Sequence, residues 1–120
     1  MSLVGTYEKP DGSMKLNITK ADDGNGALSG SMEVVVDGTL YYLRVDGHYH
    51  FRNSSETPVQ ICLRAHVDND KDKLGIYQGW SAYSESFSPA EIIMGGAANR
   101  MYTDGKVTIA TFAFKAWKRI

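Results

Sequence analysis

Three of the five Asp-Gly pairs in the chain, at residues 11–12, 37–38 and 104–105, separate segments in which apolar and polar side chains alternate. An Asp-Gly pair favours a two-residue hairpin turn, and such a turn fixes which residues of the flanking strands face each other. Alternation with a period of two places the apolar side chains of a strand on one face of a sheet. The turns and the alternation together predict antiparallel hairpins with one dry face and one wet face.

The hairpin around residues 37–38 tests this prediction within the sequence itself. A two-residue turn there sets Val34 opposite Tyr41 and Met32 opposite Leu43. Directly opposed residues share a sheet face, so apolar side chains meet apolar ones here, while the other face pairs polar with polar residues. The register imposed by the turn therefore agrees with the hydrophobic pattern.

Two more hairpins give the same kind of agreement. The first Asp-Gly pair sets Tyr7 opposite Leu16, and a loop over residues 68–73 sets Leu63 opposite Gln78. Gln78 is the one polar side chain that this register places in the middle of an apolar row. A buried amide needs several hydrogen-bond partners, so it either orients the polar group of a ligand or joins a structural network with tyrosine hydroxyls and a buried water.

Turn residues divide the whole chain into eight segments of this kind, and no convincing helix separates them. We expect strands near residues 5–9, 14–21, 26–36, 39–52, 57–68, 73–83, 91–103 and 106–118. A meander of antiparallel strands with one apolar face removes its unpaired edges by closing into a barrel. The sequence therefore predicts an all-β fold, a single eight-stranded antiparallel up-and-down β-barrel, as one domain over residues 1–120.

Composition narrows the classes of partner. Charged residues make up 22% of the chain and the net charge is −1, which provides no basic surface for nucleic acid or an anionic membrane. No apolar run approaches the roughly 20 residues that span a bilayer. The first ten residues carry no signal-peptide pattern, so cytoplasmic is the default expectation. Cys62 is the sole cysteine and cannot form an intramolecular disulfide.

Several short motifs, in their order along the chain, resemble the avidin family and more distantly the lipocalins. A Gly-x-aromatic opens the first strand, Asp-Gly-Ser leads into the second, a glycine-spaced stretch forms the third, and an aromatic and basic residues close the last. These motifs are Gly5-x-Tyr7, Asp11-Gly12-Ser13, Gly26 to Met32, and Trp117-Lys118-Arg119-Ile120. The resemblance implies the same eight-stranded meander barrel.

The resemblance does not extend to biotin. Avidins hold the ureido group of biotin with an Asn, a Ser and a Tyr near the first three strands, and the matching positions here are Lys9, Ser13 and Met32. The fifth strand also lacks the tryptophans that enclose the biotin rings. Losing buried hydrogen-bonding groups costs orders of magnitude in discrimination, so we expect no tight biotin binding.

An eight-stranded barrel has a lumen that side chains can just fill, or that holds one small ligand. We expect a non-enzymatic barrel that binds a small, largely apolar or aromatic molecule. The residues predicted to line its pocket are Tyr7, Ser13, Met32, Tyr41, Leu43, Gln78 and Trp80. The alternative is a solid barrel that acts through its surface as an inhibitor, an immunity protein or a structural subunit.

No motif supports catalysis or a cofactor. Gly12-Ser13 is not part of a G-x-S-x-G nucleophile elbow, and Cys62 has no nearby base except His48. His48 and His50 share one strand face with Cys62, which is the one set that could approach zinc; otherwise this row is the solvated outside of the strand. Asp68-x-Asp70-x-Asp72 begins like a calcium loop, but Lys73 stands where that loop needs glycine.

The last hairpin differs from the others because both of its faces are largely apolar. With a two-residue turn at 104–105, Arg100 is opposite Ile109 and Ile92 is opposite Trp117. We assign Phe112 and Phe114 to the lumen wall, which leaves an apolar set facing outward: Ile92, Met94, Ala98, Ile109, Ala113 and Trp117. Lone monomers rarely expose such a patch, so we expect a homo-oligomer, a dimer or a tetramer, in which a second copy covers it.

Overall fold

The computed structural model describes residues 2–52, 58–67, 75–86 and 88–120. Eight antiparallel strands follow one another around a closed barrel in chain order. They are β1 (Gly5–Glu8), β2 (Met14–Asp22), β3 (Ala27–Val36), β4 (Thr39–His50), β5 (Val59–His66), β6 (Gly75–Ser84), β7 (Glu91–Met101) and β8 (Val107–Arg119). The predicted fold class is confirmed.

The described residues form no α-helix. In the same part of the chain, nothing helical has the length and apolar character that crossing a membrane requires.

The turn between β3 and β4 has the predicted geometry. Val36 pairs with Thr39, and every pair further along the hairpin follows in step. Asp37 and Gly38 both adopt left-handed backbone angles, with φ of 51° and 79°. Two such residues in succession are typical of a type I′ turn, whose twist matches that of the flanking strands. The first hairpin is also confirmed, since Tyr7 pairs with Leu16.

The register of β5 against β6 differs from the prediction by two residues. Leu63 pairs with Trp80 and Ala65 with Gln78, whereas the sequence placed Leu63 opposite Gln78. A slip of two residues keeps every side chain on its predicted face, so the hydrophobic pattern cannot detect it. The predicted loop, including the Asp68-x-Asp70-x-Asp72 motif, lies outside the described residues.

The β7–β8 turn is longer than predicted, and this changes which residues face the lumen. The amide of Tyr102 donates to the carbonyl of Lys106 at 2.8 Å, and Gly105 donates back to Tyr102 at 2.9 Å, with Gly105 at a φ of 85°. This is a three-residue loop with a left-handed glycine at its end. Arg100 therefore pairs with Thr108, and the predicted pairing with Ile109 is wrong.

A second irregularity in β8 reverses this offset. Ala113 and Phe114 lie together opposite Gly95, which is a β-bulge, and beyond it Ile92 pairs with Trp117 as predicted. The ring of Phe114 covers Gly95 so closely that a Cβ there would lie 2.8 Å from it. A side chain at position 95 would therefore require the Phe114 ring to move.

The outward assignment of Ile92, Met94 and Trp117 is wrong, because all three are at most 1% exposed in the barrel interior. Ala98 also belongs to the inward row, since it pairs with the buried Gln78 of β6. Both faces of the β7–β8 hairpin are apolar, so its composition alone cannot distinguish inside from outside. The pairing of β7 with β6 decides the question.

The interior is packed most densely at the end of the barrel where the chain begins and ends, which we call the closed end. Trp117 meets Trp80 edge to face at 5.3 Å between ring centroids, and Tyr7 donates its hydroxyl to the carbonyl of Leu3 at 2.8 Å. β1 and β8 complete the barrel here through the pairing of Tyr7 with Arg119. The closed end is thus filled with side chains.

Candidate functional site

The opposite end of the barrel, where the β1–β2, β3–β4 and β7–β8 turns lie, contains a cavity of about 360 Å³. We call this the open end and its hollow the lumen cavity. Its main inward-facing wall residues are Met14, Val34, Ile76, Gln78, Ala98, Arg100, Thr108, Ala110 and Phe112. Small side chains at Ala98 and Ala110 leave the space that larger residues occupy at the closed end.

Aromatic rings form the inner boundary of this cavity. Phe112 stacks on Trp80 with 5.0 Å between centroids and 23° between planes. The indole N–H of Trp80 donates to the Gln78 side-chain oxygen at 3.0 Å. That bond gives the oxygen of the buried amide a partner, although the donor is an indole and not one of the predicted tyrosine hydroxyls, and Gln78 also borders the cavity.

Arg100 is the cationic group of the cavity. Its Nη2 lies 2.9 Å from Asp37 Oδ2, and its guanidinium carbon lies 4.2 Å from the Tyr102 ring centroid. The arginine side chain is 19% exposed, whereas that of Asp37 is 78% exposed. Among the buried side-chain polar atoms that the structure describes, Arg100 Nε is the one without a hydrogen-bond partner.

A second cation lies near the same wall. Lys9 Nζ is 5.2 Å from the centroid of the Phe112 ring and 3.2 Å from Asp11 Oδ2. Asp11 also accepts hydrogen bonds from the side chain and the backbone amide of Ser13. Those bonds, chiefly, and Lys9 to a lesser degree lower the pKa of Asp11 to about 2.

The predicted lining residues divide between the cavity and the packed core. Gln78 borders the cavity, and Trp80 supports its Phe112 wall. Tyr7, Met32 and Leu43 are fully buried, and Tyr41 packs against the same core; these four lie outside the group that lines the cavity. The predicted inward position of Ser13 is wrong, because its hydroxyl donates to exposed Asp11 at a hairpin tip.

The most informative residues of the cavity, Arg100 and Phe112, were not predicted as ligand contacts. The predicted pairing of Arg100 with Ile109 puts Arg100 on the outer face with Ala98, whereas the observed register, which differs by one residue, turns both inward. The signal that could have located Arg100 is the pairing of β7 with β6. Arg100 pairs with Ile76 and Ala98 pairs with Gln78, and paired residues share one face of the sheet.

The histidine pair lies on the exposed outside of β4. His48 pairs with Cys62, as predicted, and Cys62 is an exposed free thiol. Within the described residues, no group of three His, Cys, Asp or Glu side chains is arranged to hold a metal ion.

The outer surface of β6, β7 and β8, which we call the apolar wall, borders a hollow of about 700 Å³ whose β5 side is formed by residues that include Arg64 and His66. Its bottom is formed by small residues, Gly79 and Ala97, and it lies between Tyr77 and Ile109. Ile109 is 79% exposed and Phe114 is 60% exposed. Of the predicted interface residues, Ile109 and Ala113 are exposed, and the predicted position of Phe114 in the lumen wall is wrong.

Comparison of the chain with the profiles of known protein families, with curated proteins and with solved structures finds no match. The observed barrel agrees with the architecture of avidins and lipocalins at the level of strand number and order.

Proposed function

We propose that this protein is a non-enzymatic barrel that binds a small, largely apolar or aromatic molecule in the lumen cavity. The observation that carries the proposal is the contrast between a filled closed end and a hollow open end bounded by Phe112, Gln78 and aliphatic side chains. Ligand pockets are concave, mostly apolar and equipped with a few placed polar groups, and volumes of about 300 Å³ upward are typical. The ligand would therefore be small.

Biotin does not fit this site. The residue aligned with the avidin tyrosine, Met32, is fully buried in the packed core and offers no hydrogen-bond donor. Lys9 replaces the avidin asparagine and is paired with Asp11. Calorimetry with micromolar biotin is expected to give no saturable heat, and a nanomolar dissociation constant would contradict this part of the proposal.

A cavity-filling variant tests the binding site. The probe is N-phenyl-1-naphthylamine, an uncharged aromatic molecule whose fluorescence rises in apolar surroundings. Ala98→Phe places a ring in the lumen cavity, and Ala97→Phe places the same ring one residue away on the outer surface, where Gly79 leaves open space. We expect saturable binding to the native protein and to Ala97→Phe, and affinity at least about tenfold weaker in Ala98→Phe. Absence of saturable binding to the native protein would overturn the proposal.

A second candidate function is self-association, which the apolar wall favours. Its exposed side chains between Tyr77 and Tyr83 on β6 and between Ile93 and Asn99 on β7 carry no charge, and Ile109 and Phe114 project beside the hollow over Gly79 and Ala97. A ridge of exposed apolar side chains next to a hollow can be self-complementary, and a two-fold symmetric dimer would set each ridge into the hollow of the partner. We propose a homo-oligomer that forms through this wall. Ile109 and Phe114 would then provide contacts that the sequence assigned to Ile92, Met94 and Trp117, which lie in the core.

Sedimentation equilibrium at tens of micromolar tests this second proposal. We expect a mass above 13.2 kDa for the native protein and a monomer for Ile109→Lys. The control is Leu40→Lys, which adds the same charge to an exposed apolar position on β4. A native protein that remains a monomer would refute self-association.

A further inference from the structure

Arg100 borders the lumen cavity and Lys9 lies near it, 5.2 Å from the Phe112 ring, and each cation is more buried than the carboxylate that neutralises it. Arg100 and Asp37 are 19% and 78% exposed; for Lys9 and Asp11 the values are 18% and 58%. Ion pairs with a solvent-exposed carboxylate contribute little to stability, since water and salt screen the attraction. Both cations can therefore exchange these partners at small cost.

Arg100 has a hydrogen-bond donor that its present partner does not use. Asp37 accepts from Nη2, while the N–H of Nε is buried and unpaired among the described residues. A guanidinium presents Nε and Nη donors in a planar fork that matches the two oxygens of a carboxylate or sulfonate. An anion bound there would satisfy the Nε donor that Asp37 leaves unpaired.

The surroundings of Arg100 hold its guanidinium in place without using its donors. Tyr102 lies against the guanidinium at 4.2 Å, a cation–π contact that involves the face of the group and leaves its edges free. Phe112 and Gln78 lie deeper in the same cavity. A ligand with an aromatic body and an anionic group at one end would therefore contact Phe112 and Arg100 together.

We infer that the lumen cavity selects aromatic or apolar monoanions, with the anionic group bound by Arg100 and with Lys9, which lies near the Phe112 ring, adding to the positive potential. This inference rests on the proposed function of the same cavity, and specifies the charge of its ligand. The cations rather than the apolar walls provide the discrimination, because a neutral molecule leaves the Arg100 Nε donor unsatisfied.

A matched pair of probes separates charge from shape. N-phenyl-1-naphthylamine and 8-anilino-1-naphthalenesulfonate share one aromatic skeleton and differ by a sulfonate. The measured quantity is the ratio of their dissociation constants, neutral over anionic, obtained by fluorescence titration at low and at high salt. We expect a ratio of about ten or more for the native protein, which corresponds to one charge-assisted hydrogen-bonded contact.

Three variants locate the source of that ratio. Arg100→Gln is expected to lower it to about one, a loss of about tenfold. Asp37→Asn removes the competing carboxylate but keeps a residue that tolerates the left-handed turn conformation, and is expected to raise the ratio about twofold to threefold. Arg64→Gln is the control, since Arg64 also pairs with a partly exposed aspartate, Asp46, but lies on the outside of β5.

The outcomes distinguish the two proposals. A native ratio near one with saturable binding of both probes would overturn the anion preference and leave the ligand-binding proposal standing. Failure of both probes to bind would overturn the ligand-binding proposal itself. A native ratio of ten that Arg64→Gln abolishes, or that Arg100→Gln and Asp37→Asn leave unchanged, would also contradict the assignment to Arg100. Circular dichroism confirms that each variant is folded.

Discussion

The two ends of the barrel each place an arginine near a tyrosine ring, but they use the arginine differently. At the closed end, Arg119 lies 5.8 Å from the Tyr7 ring and donates to the carbonyls of Val4 at 2.6 Å and Pro89 at 3.4 Å. At the open end, Arg100 lies over Tyr102, pairs with one exposed carboxylate and leaves Nε unpaired. An arginine tied to backbone carbonyls is part of the scaffold, whereas one with an unused donor beside a cavity is available to a ligand.

The comparison predicts its largest effect for the core of the closed end. Trp117→Lys is expected to lower the free energy of unfolding by about 4 kcal/mol or more, because it removes a buried aromatic side chain and introduces a charge among apolar residues. Ile109→Lys, on the neighbouring surface of the same strand, is expected to change it by less than about 0.5 kcal/mol. Urea denaturation of dilute protein measures both. Comparable losses would mean that inside and outside of β8 have been assigned wrongly.

Replacement of each arginine by glutamine tests the comparison most directly. Arg119→Gln is expected to cost about 2 kcal/mol, since two backbone carbonyls lose a charged donor. Arg100→Gln is expected to cost less than about 0.5 kcal/mol, because its single ion pair is exposed on the carboxylate side. The same denaturation experiment reports both values, and the idea of a scaffold arginine and a free arginine fails if their order is reversed.

Substitution of the two tyrosines should also lower the free energy of unfolding more at the closed end than at the open end, but the difference should be smaller than for the arginines. Tyr7→Phe removes the bond to the Leu3 carbonyl and is expected to cost about 1 kcal/mol, whereas Tyr102→Phe keeps the ring beneath Arg100 and is expected to cost less.

Alkaline pH gives a second measurement at Tyr7. Burial, opposed in part by Arg119, raises the pKa of Tyr7 above its usual value of 10.0. A group that holds its proton more tightly when folded contributes stability below its unfolded pKa, and this contribution declines as the pH rises through the folded pKa. Stability of the native protein should therefore fall above about pH 10, with a shallower fall in Tyr7→Phe. If stability fell equally steeply with pH in the native protein and in Tyr7→Phe, Tyr7 would be excluded as the cause of the fall.

The smallest expected effect belongs to the turn at the open end. The pKa of Asp11, lowered to about 2 by hydrogen bonds from Ser13, implies stability that is present above about pH 4 and is lost as the pH falls toward 2. Solvent screening limits the effect to less than about 1 kcal/mol. Acid titration of unfolding free energy should show a smaller loss in Ser13→Ala than in the native protein, and a larger loss there would contradict the assignment.

The fold could be predicted because its information is local. Asp37 and Gly38 specify their turn through backbone conformation, and the alternation on either side then fixes the faces of β3 and β4. The candidate site could not be predicted in the same way. Its key residue, Arg100, lies in a hairpin whose faces are both apolar, and its direction depends on pairing with β6 rather than on its own sequence neighbours.

The predicted pocket residues that lie in the packed core illustrate a related limit of prediction from sequence. Alternation correctly directed Tyr7, Met32 and Leu43 inward, but it contains no information on how completely side chains fill a lumen. Cavity position depends on the sizes of residues on different strands at one height of the barrel, such as Ala98 and Ala110.

The paired irregularities of the last hairpin have an evolutionary consequence. Between the three-residue turn and the bulge opposite Gly95, β8 is displaced by one position, so that Thr108, Ala110 and Phe112 line the lumen. In a descendant that lost both irregularities, the intervening row of Val107, Ile109 and Thr111 would turn inward without any of these residues mutating. Such a change of register would replace the residues that line the lumen, and an alignment made column by column would record no change at these positions.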